Sequence, residues 1–240
     1  MQEMEIYMQR CLELGLMGLG QTAPNPLVGS VIVIDGKIAG EGYHEKFGGP
    51  HAEINAITDA LKSIPVDKLK ESTLFVNLEP CSHYGKTPPC CDAIIRYGIP
   101  NVVFGSMDPF ENAAGRGMKK LIDSGVSVMS GISQKACDEL NRRFFTFHQK
   151  KRPYLILKYA QSADGFIAPD DTNQERWISN EWSRKIVHQW RTEEPGIMVG
   201  TNTVLQDNPL LTARNRTGNQ PLRIILDRFG RIPASMNVFN

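Results

Sequence analysis

The chain of 240 residues is long enough for one large domain or two small ones, and its 41% hydrophobic and 22% charged residues are typical of a soluble globular protein. A formal net charge of +1 provides no global positive field for nucleic acid, and no apolar run approaches the roughly 18 residues of a membrane span. The acidic N-terminus lacks the layout of a secretory signal, so we expect a cytoplasmic protein.

The first half of the chain alternates helix and strand patterns. Apolar residues at helical spacing predict a helix over residues 3–18, and Ala23-Pro24-Asn25-Pro26 predicts a rigid loop after it. A β-branched run at 28–34, the turn signal Asp35-Gly36 and the segment 37–43 predict a hairpin. The other elements predicted here are helices at 51–62, 90–97, 116–124 and 133–145 and strands at 72–78, 101–105 and 126–129.

A composition break at Lys150-Lys151-Arg152-Pro153 predicts a domain boundary. A helix at 180–191 follows it, together with strands at 154–159, 197–200, 222–226 and 236–239. The pattern predicts an α/β layered domain over residues 1–147 and a second α/β domain over 153–240 that contains an incomplete sheet.

Three of the five cysteines cluster between residues 81 and 91, and the odd count argues against a disulfide framework. His51, Cys81 and Cys90 make a set of one imidazole and two thiolates, as a catalytic zinc site with an open fourth position requires. Such a metal lowers the pKa of a bound water to about 7. We therefore predict one Zn²⁺ per chain.

Glu53 follows His51 by two residues, on the first turn of the same predicted helix. A carboxylate there can reach the water without binding the metal, so we predict that Glu53 shuttles the proton to a leaving amine. His51 and Cys90 each open a predicted helix, where the partial positive charge of the helix N-terminus favours thiolate over thiol.

Two alternatives remain for the same residues. A structural zinc site would take a fourth ligand from Cys91 or His83, and it would leave Glu53 without a role. Cys91 is also adjacent to Cys90, and since neighbouring helical residues point about 100° apart, only one of them should face the metal. The spacing also departs from the H-x-E…P-C-x-x-C signature of zinc nucleobase deaminases, because eight residues separate Cys81 from Cys90.

The segment from Pro80 to Cys90, PCSHYGKTPPC, resembles the deaminase domain of the bifunctional deaminase/reductase of riboflavin biosynthesis. Further matches are Ala23-Pro24-Asn25-Pro26-x-Val28-Gly29, Gly42-x-His44, Gly49-x-His51-Ala52-Glu53, Asp108-Pro109 and Gly115-x-Gly117. The resemblance implies a three-layer cytidine-deaminase-like fold with a mixed sheet. It also implies hydrolysis of the 2-amino group of 2,5-diamino-6-(5-phosphoribosylamino)pyrimidin-4-one, and it selects Cys90 over Cys91. The nucleotide pocket would be lined by Asn25, His44, Lys86 and Asp108, with Lys86 suited to the phosphate.

The segment from Leu157 to Gly165, LKYAQSADG, resembles the opening of the same family's reductase domain, which is similar to dihydrofolate reductase and uses NADPH. The resemblance implies cofactor contacts at Ala160, Trp177, Thr203 and Asp207. It implies substrate contacts at Arg191, Leu211 and Arg214. No glycine-rich phosphate loop follows residue 226, so we expect only the first part of that domain in this sequence.

Two other functions fit the same zinc chemistry. A deaminase of tRNA or another polynucleotide would need a basic groove, against which the near-neutral charge counts. A non-catalytic zinc-stabilised module would not need Glu53. We expect a small pyrimidine nucleotide as substrate, no nucleic-acid or membrane partner, and a homo-oligomer, since an incomplete sheet exposes strand edges.

Overall fold

The computed structural model describes residues 2–110, 114–167, 178–214 and 216–240, and the chain divides into two compact units. The first unit is Met1–Tyr154 and the second is Leu155–Asn240. Among the described residues, no helix is both long and apolar enough to cross a membrane.

The first unit is built on a five-stranded mixed sheet of order β2-β1-β3-β4-β5. β1 is antiparallel to both of its neighbours, whereas β3, β4 and β5 run parallel. The strands are β1 Gly29–Ile34, β2 Lys37–Tyr43, β3 Thr73–Leu78, β4 Asn101–Ser106 and β5 Ser127–Ser130. The helices are α1 Gln2–Leu16, α2 Ala52–Ala60, α3 Cys90–Tyr97, α4 Arg116–Asp123, α5 Gln134–Leu140 and α6 Arg142–Lys150, with a 3-10 helix at Val66–Glu71.

Alternate side chains of the strands face opposite sides of the sheet, and each side is covered by helices. On one side Ile32, Val76 and Phe104 pack with α2, α3 and α4. On the other side Val31, Phe75 and Val103 pack with α1 and α5. The predicted three-layer α/β fold with a mixed sheet is therefore confirmed.

Helix α2 lies unusually close to β2, because small residues meet on both sides of their contact. A Cβ atom on Gly40 would come within 2.4 Å of the Ala60 nitrogen, and one on Gly42 within 2.3 Å of the Ala56 nitrogen. Ala52, Ala56 and Ala60 are fully buried in this contact face. Direct contact between the two backbones therefore fixes the position of α2 against β2.

Buried asparagines hold the loop that precedes β1. Asn141 accepts a hydrogen bond from the Leu27 N–H at 2.7 Å and donates to the Leu27 carbonyl at 2.9 Å. Asn77 also donates to that carbonyl and accepts from the Gly29 N–H. Asn141 stands between α5 and α6, so the single helix predicted over 133–145 is in fact two helices that meet at this residue.

The second unit contains a parallel pair of strands, β6 Gly196–Gly200 and β7 Leu222–Leu226. Its helices are α7 Glu181–Glu193 and α8 Thr201–Asp207, and its buried core consists of Val204, Leu211 and Val238. Helix α8 was not predicted.

Two predicted strands of this half are wrong. Residues 154–159 form exposed coil, with Leu157 90% exposed, because no strand within the described ranges pairs with them. The segment at 236–239 contains the 3-10 helix Asn237–Phe239, whose Val238 packs into the core of the unit.

Candidate metal centre and substrate cavity

The structure brings His51, Cys81 and Cys90 together in the first unit. Their candidate ligand atoms all lie within 4.8 Å of one another. His51 Nδ1 is 3.5 Å from Cys81 Sγ and 3.3 Å from Cys90 Sγ. Zinc bonds of about 2.0–2.1 Å to nitrogen and 2.3 Å to sulfur, at a tetrahedral angle, separate such ligand atoms by about 3.6 Å. The three side chains therefore fit one zinc ion.

Local sequence explains why these side chains converge. His51 is the N-cap of α2 and follows Pro50, whereas Cys90 is the first residue of α3 and follows its N-cap, Pro89. Cys81 comes shortly after β3, at the carboxyl end of a parallel strand, where α/β sheets place their ligands. The Cys90 backbone N–H donates to Cys81 Sγ at 3.3 Å, so the start of α3 stabilises a thiolate there.

Burial and mutual contact shift the pKa of every ionisable group at this centre. The Cys90 thiol donates to Cys81, which lowers the pKa of Cys81, and the resulting thiolate raises the pKa of Cys90. The contact with Cys81 also raises the pKa of His51. Glu53 is 3% exposed, and burial is the main cause of its raised pKa.

Cys91 faces away from this centre. Its thiol contacts the carbonyl oxygens of Pro80 at 3.3 Å and of Gly117 at 3.6 Å, in the interior between α3 and α4. Of the two adjacent cysteines, Cys90 is the one that the helix turns towards His51.

A cavity of about 310 Å³ opens beside the centre, and residues singled out in the sequence line it. His51, Glu53 and Cys81 form one part of its wall, and the remaining predicted residues in it are Asn25, His44, Lys86 and Asp108. The cavity therefore joins the metal-binding group to the predicted nucleotide pocket.

His44 uses both of its ring nitrogens within the protein. Nδ1 is 2.9 Å from the Pro50 carbonyl, to which it must donate, and Nε2 is 3.0 Å from Asn25 Nδ2, from which it then accepts. Burial lowers the pKa of this 3% exposed histidine, which agrees with a neutral ring. His44 thus orients the Asn25 amide and the turn before His51, and leaves the Asn25 Oδ1 atom directed away from the ring.

The other predicted pocket residues lie on loops. The Lys86 ammonium lies 4.0 Å from the centre of the Phe47 ring, in a cation–π contact. Asp108 follows β4, and its Oδ1 accepts the Phe110 N–H at 2.9 Å. Burial is the main cause of the raised pKa of Asp108.

Glu79, Phe144 and His148 are among the residues of the cavity wall that sequence reasoning missed. Phe144 and His148 are one turn apart on α6, with ring centres separated by 4.4 Å, and Phe110 lies 5.4 Å from the His148 ring. The i, i+4 spacing of two aromatic rings could have indicated a common face of this helix. Glu79 is an acid directly after an apolar strand and before Pro80-Cys81, which was a usable signal.

In the second unit, the predicted substrate residues lie close together. Arg191 Nη1 donates a hydrogen bond of 2.9 Å to the carbonyl of Thr212, which lies in the sequence between Leu211 and Arg214. Burial lowers the pKa of Arg191, and the charge of Arg214 lowers it further. Leu211 is buried with a φ of +57°.

The predicted cofactor residues of the second unit are more dispersed. Thr203 and Asp207 are both exposed on α8, one turn apart. Ala160 is half-buried in coil, and Trp177 lies outside the described residues.

Two family models match the chain in succession. Residues 1–106 match the cytidine and deoxycytidylate deaminase zinc-binding region, and residues 153–240 match the RibD C-terminal domain. The fold and the metal-binding group thus define a zinc-binding, cytidine-deaminase-type domain that is followed by a second family domain.

Curated relatives are similar to this protein along almost the whole of its chain. The riboflavin biosynthesis protein RibD of Aquifex aeolicus is 46% identical over 235 residues, which are 98% of this chain and 64% of the relative. That of Actinobacillus pleuropneumoniae is 48% identical over 227 residues, 95% of this chain and 59% of the relative. The chain belongs to the RibD family, and it spans 59–64% of the length of these two curated relatives.

Solved structures agree. The diaminohydroxyphosphoribosylaminopyrimidine deaminase/5-amino-6-(5-phosphoribosylamino)uracil reductase of Thermotoga maritima superposes with a TM-score of 0.92 at 44% identity, covering 100% of this chain and 67% of that one. RibD of Acinetobacter baumannii gives a TM-score of 0.91 at 36% identity, covering 99% of this chain and 67% of that one.

Proposed function

We propose that the first unit hydrolyses the 2-amino group of 2,5-diamino-6-(5-phosphoribosylamino)pyrimidin-4-one, giving the uracil derivative and ammonia. The observation that carries this proposal is the cavity in which His51 and Cys81 lie beside Glu53 and the polar wall of Asn25, Lys86 and Asp108. The similarity to the Thermotoga maritima protein, a diaminohydroxyphosphoribosylaminopyrimidine deaminase, supports the same reaction.

His51, Cys81 and Cys90 would hold the zinc ion. When bound there, zinc supplies a Lewis acid that lowers the pKa of a water molecule and leaves the fourth position open. The donor set supports this assignment, because two thiolates and one imidazole suit zinc and the ligand atoms already lie at the required separations.

Glu53 would move the proton. Its carboxyl group is buried beside the ligands, on the first turn of α2, and bulk water is largely excluded from it. It accepts a proton as water adds to C2 of the pyrimidine, and it delivers a proton to the amino nitrogen as the C2–N bond breaks. The raised pKa of a buried carboxyl makes it a better proton donor near neutral pH than an exposed one.

The polar wall would hold the nucleotide. Because His44 engages the Asn25 amino group, Asn25 presents its carbonyl oxygen as an acceptor for a substrate N–H or O–H group. Asp108 adds a second acceptor, and Lys86 provides the positive charge for the phosphate.

Ammonia release from the diaminopyrimidine nucleotide tests this proposal. The wild-type chain should release ammonia, and Glu53→Gln should retain zinc while losing at least about a hundredfold in turnover. Glu5→Gln, on the exposed face of α1, is the matched control and should behave as wild type. Full turnover by Glu53→Gln would refute the role of Glu53, and a wild-type chain without ammonia release would refute the reaction.

We also propose that the second unit is part of an NADPH-dependent reductase of the ribosyl group. The match of residues 153–240 to the RibD C-terminal domain and the proximity of Arg191 and Arg214, which suits a phosphate, support it. Fluorescence titration of NADPH into this chain tests cofactor binding, and the absence of binding would refute a functional cofactor site in this chain. The cytoplasmic location and the homo-oligomer stay predictions, and sedimentation analysis would test the latter.

A further inference from the structure

A buried carboxylate at the end of β3 has no part in the scheme above. Glu79 is 4% exposed, and it accepts hydrogen bonds from three backbone N–H groups. The Asp108 N–H is 3.2 Å and the Gly115 N–H 3.0 Å from Oε2, and the Met118 N–H is 3.0 Å from Oε1. Both carboxylate oxygens are therefore occupied by the backbone.

One donor, Asp108, lies shortly after β4, and the other two, Gly115 and Met118, lie at the start of α4. An acceptor with negative charge is favoured there, because the N–H groups of a helix start have no partner within the helix. Glu79 thus links the strand leading to Cys81 with the loop that carries Asp108.

The packing around Gly117 shows how closely the two parts are joined. A Cβ atom at Gly117 would lie 2.0 Å from the Pro80 carbonyl oxygen and 3.1 Å from Glu79 Oε1. The start of α4 therefore rests directly on the Glu79-Pro80 backbone, beside the thiol of Cys91. Asp108 and the start of α4 can therefore move away from Glu79 only if these hydrogen bonds break.

We propose that Glu79 is a positioning residue for the deamination, which acts on the substrate through Asp108. It fixes the Asp108 backbone so that the Asp108 side chain stays in the cavity wall with His51 and Glu53. The inference rests on the proposed deaminase function. Since both of its oxygens accept backbone hydrogen bonds, Glu79 serves neither as a metal ligand nor as the proton shuttle.

Steady-state ammonia release and amide hydrogen exchange of the full chain test this inference. In Glu79→Gln, an amino group replaces one acceptor oxygen, so the amides of Asp108, Gly115 and Met118 should exchange faster. The KM for the nucleotide should rise about tenfold, because a charge-assisted hydrogen bond is lost, while kcat changes less than about twofold and zinc content stays constant. Glu139→Gln, on α5 with an exposed carboxylate, is the matched control.

A double-mutant cycle shows whether Glu79 acts through Asp108. In an Asp108→Asn background, Glu79→Gln should raise KM by less than about twofold, since coupled residues are not additive. Glu79→Asp keeps the charge with a shorter reach and should raise KM by a smaller factor than Glu79→Gln. This variant also serves if Glu79→Gln does not fold.

The outcomes separate this inference from the one on which it rests. An active wild type with unchanged amide exchange in Glu79→Gln overturns the inference alone. The inference is also overturned if Glu79→Gln lowers kcat and thermal stability at constant KM. Fully additive effects of Glu79→Gln and Asp108→Asn on KM would overturn it as well, because a purely structural role would give either result. A wild type that releases no ammonia overturns the deaminase function, and the positioning role falls with it.

Discussion

The adjacent residues Cys90 and Cys91 provide a matched pair of perturbations. Cys90 Sγ lies 3.3 Å from His51 Nδ1, whereas Cys91 Sγ lies 3.3 Å from the Pro80 carbonyl oxygen. Replacement of each by serine removes one sulfur atom from the same turn of α3 and changes the volume equally. We expect only Cys90→Ser to affect zinc.

The magnitude follows from the number of ligands. Structural zinc sites with four protein ligands bind with about 10–16 kcal/mol, or roughly 3 kcal/mol per ligand. Loss of the Cys90 thiolate from a three-ligand set should therefore weaken zinc binding by about a hundredfold or more. A serine hydroxyl at Cys91 keeps a donor for the Pro80 carbonyl, so zinc affinity should change less than about threefold and unfolding free energy by about 1 kcal/mol.

Competition with a chromophoric chelator gives the zinc affinity of both variants, and mass spectrometry gives the metal content per chain. Ammonia release should disappear with zinc in Cys90→Ser and persist in Cys91→Ser. The reverse order of zinc loss would show that the wrong cysteine has been assigned. Retention of zinc by both variants would refute a centre in which Cys90 is one of three protein ligands.

Three further substitutions test other parts of the first unit. Asn141→Ala should lower the unfolding free energy by about 1–3 kcal/mol in urea titrations, because the Leu27 N–H loses its acceptor. An unchanged unfolding free energy would mean that water replaces the side chain. His44→Ala should raise the KM for the nucleotide about tenfold with zinc retained, because Asn25 loses the group that orients it. An unchanged KM would show that the His44 ring does not orient Asn25 for substrate binding. The Glu41 N–H and then Lys62 lower the pKa of Asp59 below its ordinary value of 3.8. The stabilisation by Asp59 is therefore present at neutral pH and is lost as pH falls through the lowered pKa. The difference in melting temperature between wild type and Asp59→Asn should shrink on acidification. A difference that stays constant with pH would refute this.

Local sequence patterns were sufficient to predict most of the helices and strands of the first unit. The β-branched runs and the Asp35-Gly36 turn predicted the hairpin of β1 and β2, and the hairpin indeed runs from residue 29 to residue 43. Strands β3 and β4 were also placed within one residue of their bounds. Each of these elements carries its signal in its own apolar periodicity.

Predictions failed where distant contacts decide the structure. The break between α5 and α6 depends on the bonds of Asn141 to Leu27, which is 114 residues away in the sequence. Residues 154–159 have strand-like composition, but a strand also requires a partner, and composition does not specify one.

The dependence on distant contacts also determines which residues of the site could be predicted from the sequence. The pattern of His51, Glu53, Cys81 and Cys90 predicted which side chains would meet, because metal-ligating residue types are rare and chemically specific. The contribution of α6 to the cavity wall could not be foreseen. Its register against the loop after β4 depends on packing rather than on motif.

The glycine and alanine contact between β2 and α2 limits which substitutions this chain can tolerate in evolution. Because the two backbones touch at Gly40 and Gly42, any larger residue there would displace the helix whose start bears the proposed zinc ligand His51 and the proposed proton shuttle Glu53. Substitutions that alter substrate specificity are therefore expected in the loops that line the cavity, whereas the proposed hydrolytic residues sit on a helix that cannot shift towards β2 without a clash between main chains.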